Sequence, residues 1–80
     1  MKINIKYFGL IADITNCEEE WISIKEDDNL ESLILKLSEN YNELRKANFN
    51  IALNLEINTN LNVQLKDLDE IALLPPFAGG

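Results

Sequence analysis

Apolar and polar residues alternate from the start of the chain. In Lys2-Ile3-Asn4-Ile5-Lys6-Tyr7-Phe8, Ile3, Ile5 and Tyr7 share one face; Asn4, Lys6 and Phe8 share the other. That period of two predicts a first strand. From Gly9 to about Glu18 the alternation lapses and a loop is expected, with Leu10, Ile11, Ala12 and Ile14 apolar enough to pack onto a core. Glu20 to Lys25 alternates again, Ile22 and Ile24 on one side and Trp21 and Ser23 on the other. Two strands so close in sequence predict an antiparallel hairpin.

The period then changes. Glu26-Asp27-Asp28-Asn29 supplies negative charge and a capping side chain, either Asp28 or Asn29, for the free amides of a helix start. Leu30, Leu33, Ile34, Leu37, Tyr41 and Leu44 follow at spacings of three and four, with Leu35 off the stripe. This predicts a helix from residue 30 to about 40, extendable to 46. Ile51 to Glu56 reads as a third strand and Asn58-Thr59-Asn60 as a turn. Asn62-Val63-Gln64 is at most a short strand, and Leu65 to Asp69 a tight loop. Glu70-Ile71-Ala72-Leu73-Leu74 is apolar on both faces and is expected at the centre of the sheet. One helix against one face of a mixed sheet is an α+β architecture.

Composition narrows the chemistry. Eighty residues make one small domain, and 46% apolar content is enough for a core. Seven basic against fourteen acidic residues give a net charge of −7, which argues against nucleic acid and anionic membranes and for a basic protein partner. The absence of histidine removes His-based nucleophilic triads, His-ligated zinc and the commonest general base. The single cysteine, Cys17, allows no internal disulfide or CxxC site. The opening residues lack the apolar run of a signal peptide, and no stretch is long enough to span a membrane, so a cytoplasmic chain is expected.

The most distinctive segment is Pro75-Pro76-Phe77-Ala78-Gly79-Gly80. Two prolines end the last strand and stiffen the segment as extended backbone. Phe77 supplies one aromatic anchor, and Gly79 and Gly80 a tip without side chains. The chain therefore divides into a domain over residues 1–74 and an extended tail over 75–80.

Together with that tail, Lys6-Tyr7-Phe8-Gly9, Ala52-Leu53-Asn54 and the run from Leu65 to Gly80 resemble the small, sulfur-carrier subunits of molybdopterin synthase, the MoaD-type ubiquitin-like proteins. The likeness covers the whole chain in length and element order and is strongest over the last sixteen or so positions. It departs at Leu68, where the family usually has Gly, and in the first loop, where Cys17 stands near a usual Gly.

The resemblance implies a ubiquitin-like β-grasp and a non-catalytic role. An ATP-using, ubiquitin-activating-like adenylyltransferase would adenylate Gly80, and a persulfide sulfur donor would convert it to a thiocarboxylate. The large synthase subunit, which carries the catalytic residues, would then accept the sulfur onto a cyclic pyranopterin to form the dithiolene, in a heterotetramer. Glycine at 79 and 80 suits a narrow channel. Pro75 and Pro76 lower the entropy lost on threading, and Phe77 with Ala78 would fill the partner's pocket. The resemblance also implies a docking patch of Phe8, Ile57 and Leu74. Strand parity puts Phe8, Ala72 and Leu74 on the face away from the helix. Core packing competes with that role evenly for Phe8 and Leu74 and is favoured for Ile57. Neither a bound cofactor nor a metal is expected.

Other features read more simply. Asp67, Asp69 and Glu70 lack the spacing of an ion-binding loop and suit a polar turn. Glu18-Glu19-Glu20 and Glu26-Asp27-Asp28 read as solvated acids available to a basic partner. Cys17 has no neighbouring base, and Trp21 suits packing at a sheet edge or under the first loop. Alternative functions are sulfur carriage for thiamine or tRNA thiolation, or protein modification by a ubiquitin-like tag.

Overall fold

A computed structural model describes residues 1–58 and 60–76. The elements run β1 (Lys2–Tyr7), α1 (Leu10–Thr15), β2 (Glu19–Ser23), α2 (Leu30–Asn40), a 3₁₀ turn (Asn42–Lys46), β3 (Asn50–Leu53), β4 (Glu56–Ile57) and β5 (Glu70–Leu74). The five strands form one mixed sheet in the order β2-β1-β5-β3-β4. β1 is antiparallel to β2 and parallel to β5, and β3 is antiparallel to both β5 and β4. This is the α+β, ubiquitin-like β-grasp arrangement that the sequence led us to expect, with β5 in the middle.

One face of the sheet makes the core. Ile3, Ile5, Tyr7, Ile71 and Leu73 from the strands meet Leu30, Leu33 and Leu37 from α2, closed by Ile11, Leu44 and Leu65. Each such side chain removed from water is worth about 1.5–3 kcal/mol. α2 starts where its cap predicts. Asn29 Oδ1 accepts from the Ser32 amide and Ser32 Oγ accepts from the Asn29 amide, both at 2.9 Å. Asp28 takes the Lys25 amide at 2.8 Å and the Ser32 hydroxyl at 3.0 Å. These donors hold its carboxyl below the usual carboxylate range, the Lys25 amide contributing most. The helix does not reach 46: Tyr41 turns to φ −129° and the chain continues as the 3₁₀ turn, which buries Leu44.

Three boundaries differ from expectation. The loop over Gly9–Glu18 contains α1, which buries Ile11 and Thr15 and ends at Asn16 in the left-handed region, φ 58°. Fewer than two turns are too few for a helical period to register. β2 lies at Glu19–Ser23 rather than 20–25, although Ile24 still exchanges bonds with Met1. The strand expected over 51–56 is two strands. Asn54 (φ 50°) and Leu55 (φ 73°) form a two-residue turn that reverses the chain into β4. The stretch 62–64 contributes only a single bridge, Asn29 to Gln64.

Asp69 organises the turn before β5. Its Oδ2 accepts the Lys66 amide at 2.8 Å and its Oδ1 the Asn54 side-chain amide at 3.0 Å. Leu68 stands at φ 69° and donates its amide to the Lys2 carbonyl at 2.7 Å. The position where the resemblance led to an expected Gly is left-handed here, with a leucine bearing the strain.

Candidate functional site

The sheet face away from α2 is built by register. Lys6 pairs with Glu19 and with Ala72, Ala72 with Ala52, and Ala52 with Ile57, so these side chains form one row across all five strands. The Phe8 amide donates to the Leu73 carbonyl at 3.1 Å, extending the β1–β5 ladder by one residue. Phe8 therefore stands beside Leu74, which pairs with Asn50. Phe8 is 44% exposed, Ile57 52% exposed and Leu74 half-buried, around the small side chains of Ala52 and Ala72. An exposed apolar patch of this kind is a candidate interaction surface.

The tail begins at this patch. Pro75 is half-buried and Pro76 exposed, directly after Leu74. Phe77, Ala78, Gly79 and Gly80 lie outside the described residues. Of the site residues expected from sequence, Phe8, Leu74, Pro75 and Pro76 thus come together at one end of the outer face, while Ile57 lies on the same face in the central row, on edge strand β4. The core reading favoured for Ile57 is overturned. A continuous strand from 51 would point Ile57 inward, but the turn at Asn54-Leu55 sets it opposite Ala52 on the outer face.

Polar groups frame the patch. Lys6 Nζ is 3.2 Å from Glu70 Oε1, which neutralises the one basic side chain in the central row. Glu19 Oε2 accepts from Asn4 Nδ2 at 2.8 Å. A groove of about 610 Å³ beside Phe8 is lined by Tyr7 and Ala12 and by the charged Lys6, Asp13, Glu18 and Glu19, so acids outnumber bases among its charged groups. Among the described residues no group of three or more Cys, Asp or Glu side chains is arranged to hold a metal ion. No described helix is long and apolar enough to cross a membrane.

Two positions behave differently from the sequence reading. Glu20, grouped with the solvated acids, turns to the inner side of β2 and is half-buried. Its Oε2 accepts from Tyr7 Oη at 2.6 Å and from Tyr41 Oη at 2.7 Å. The two rings meet edge to face with centroids 6.1 Å apart. Burial, then the Glu20 carboxylate, pushes the Tyr7 phenol well above its ordinary range; for Tyr41 the bond to Glu20 comes first and burial second. Parity with Ile22 and Ile24 was the available signal. Trp21 is on edge strand β2 as expected, but it stands largely exposed on the outer face instead of packing. Cys17 is a half-buried free thiol, its Sγ 3.8 Å from Thr15 Oγ1.

A family model described as the ThiS family matches residues 5–80. Among solved structures, a chain of the complex of subunits 1 and 2 of the molybdopterin-converting factor from Helicobacter pylori 26695 is 34% identical, with a TM-score of 0.75 and full coverage of both chains. A putative molybdopterin converting factor subunit 1 from Pyrococcus furiosus is 24% identical over 96% of this chain and 99% of that one, with a TM-score of 0.88. The small archaeal modifier protein 1 from Methanosarcina acetivorans is 26% identical over 99% and 96%, with a TM-score of 0.80. No curated protein matches. The match across nearly the whole chain, on a β-grasp whose outer face carries an apolar patch at the foot of a Pro-Pro stem, makes this chain a member of the ThiS family of small ubiquitin-like sulfur carriers.

Proposed function

We propose that the chain is the sulfur-carrying small subunit of a molybdopterin synthase. The observation that carries the reading is the apolar outer face on which Phe8 and Leu74 stand at the foot of the Pro75-Pro76 stem, with Ile57 on the same face. A carrier must dock on one surface while its end enters another protein's active site, and this layout sets an apolar face and the start of the tail together at the end of the central strands. The identity to a chain of the Helicobacter pylori subunit 1–subunit 2 complex supports a large-subunit partner.

The chemistry at Gly80 runs in three steps. Its carboxylate attacks the α-phosphorus of ATP and pyrophosphate leaves, giving an acyl-adenylate. A persulfide sulfur of the donor displaces AMP, and a thiol reduces the resulting acyl disulfide to the thiocarboxylate. On the large subunit that sulfur passes to the pyranopterin, and hydrolysis returns the carboxylate. A carboxylate is a poor electrophile, and adenylation supplies the leaving group that it lacks. This chain contributes the terminus and the docking face; the acids and bases belong to its partners. A partner that binds a phosphorylated pterin needs basic groups, which suits a carrier of net charge −7.

Intact-mass spectrometry tests the proposal. Incubation with Mg-ATP, an activating enzyme and a persulfide donor is expected to replace one oxygen of the Gly80 carboxyl by sulfur. Addition of a large synthase subunit with its pterin substrate is expected to restore the carboxylate. A thiocarboxylate that the large subunit never discharges would assign the chain to another sulfur pathway, such as thiamine or tRNA thiolation. A second reading, a protein modifier, is favoured by the likeness to the Methanosarcina acetivorans modifier; it requires an isopeptide adduct through Gly80 on the lysines of other proteins.

A further inference from the structure

Gly9 sits where the end of β1, the start of α1 and the base of the tail converge. Its φ of 55° and ψ of −132° lie in a region that residues with a Cβ rarely adopt. A Cβ on Gly9 would stand 2.7 Å from Cγ of Pro75 and 3.6 Å from its Cδ. Relieving the first contact to ordinary van der Waals separation needs a movement of about 0.7 Å.

The backbone leading into each partner is held, which leaves little beyond a change of proline pucker to make that movement. The residue before Gly9 is tied to β5 by the Phe8 amide on the Leu73 carbonyl at 3.1 Å. Gly9 itself accepts the Ala12 amide at 3.0 Å in the first turn of α1. Pro75 follows directly on β5, and its ring fixes its own φ. The proline ring thus rests on bare backbone, between two hydrogen-bonded elements.

The geometry points to Gly9 as a positioning residue for the tail: by presenting no side chain it seats Pro75 and so sets the direction in which the chain leaves the sheet at Pro76. This rests on the reading of the chain as a carrier whose Gly80 must enter an adenylating active site. A shift at Pro75 displaces the tail at its root, and near-attack geometry at the reacting carboxylate tolerates little misplacement. The outer-face patch is untouched by such a shift. A side chain at position 9 therefore impairs turnover and spares docking.

The test is ATP–pyrophosphate exchange by the activating enzyme of the same organism, with carrier concentration varied. Gly9→Ala is expected to lower kcat at least tenfold with KM changed less than threefold. The same substitution in a Pro75→Ala background, where the opposing ring is gone, is expected to change kcat no more than twofold. Backbone strain alone would act equally in both backgrounds. Equal losses in both, or a loss confined to KM, overturn the inference, as does wild-type turnover by a folded Gly9→Ala chain. Should Gly9→Ala fail to fold, Pro75→Ala alone decides: kcat reduced at least threefold with KM unchanged supports the seat, and an unchanged kcat overturns it.

A nuclear Overhauser contact between the Gly9 Hα and Pro75 Hγ protons reads the seat without any enzyme. Its absence in the wild-type chain overturns the inference. Its presence in a wild-type chain that supports no exchange supports the seat and overturns the carrier reading instead.

Discussion

The Glu20 carboxylate accepts the Tyr7 hydroxyl at 2.6 Å, from a ring that is itself buried in the core. An ionised phenol at Tyr7 or at Tyr41 would face that carboxylate directly, so both hydroxyls stay protonated far beyond their ordinary range. In the unfolded chain both titrate near pH 10. Above about that pH the unfolded state holds fewer protons than the folded one, and stability falls as pH rises; below it the contribution is complete. Tyr7 and Tyr41 are the only tyrosines. An alkaline titration is therefore expected to show tyrosinate absorbance rising together with loss of far-ultraviolet dichroism. A tyrosinate step near pH 10 in a chain with native dichroism would contradict the clamp.

Leu68 holds a left-handed backbone with its side chain 65% exposed. Glycine there relieves about 1–2 kcal/mol of strain and costs about 0.5–1 kcal/mol in unfolded-state entropy. Leu68→Gly is expected to stabilise the chain by about 0.5 kcal/mol, seen as a higher urea midpoint at unchanged slope. Leu35→Gly, at an exposed position inside α2, is the control and is expected to destabilise by about 1 kcal/mol.

Asn29 and Ser32 cap α2 reciprocally. Asn29→Ala removes the acceptor for the Ser32 amide and is expected to cost about 1 kcal/mol in chemical denaturation, while Asn29→Asp retains most of that stability. Equal losses from the two substitutions would show that the side-chain oxygen is not what caps the helix.

Phe8 and Ile57 stand exposed on the outer face. Phe8→Asp and Ile57→Asp are each expected to weaken binding to a large synthase subunit at least tenfold, about 1.4 kcal/mol, in calorimetry. Melting temperature should move little, because neither side chain belongs to the core. Unchanged affinity in both variants would remove this face from the interface.

Periodicity exposed the architecture where an element was long or strictly alternating: β1, α2 and β5 could be read at once. α1 could not, because its six residues complete fewer than two turns. The β3–β4 reversal was hidden because Leu55 occupies a turn position that glycine would have announced. That turn also decided Ile57, since one chain reversal exchanges the inner face for the outer. Parity did carry the remainder of the patch, Phe8 with Leu74. The clamp on Glu20 was available from parity with Ile22, yet three adjacent glutamates read more naturally as a solvated group. The seat of Pro75 on Gly9 joins opposite ends of the sequence and has no local signal.

The first and last strands lie side by side and run the same way. A fusion at Met1 therefore sits at the pole opposite the tail and leaves the tail's surroundings clear. The same arrangement governs the response to force. Tension between Met1 and the tail loads the β1–β5 hydrogen bonds together, in shear, instead of opening them one at a time. A partner that grips the tail and pulls against a hold at Met1 therefore meets these bonds in shear.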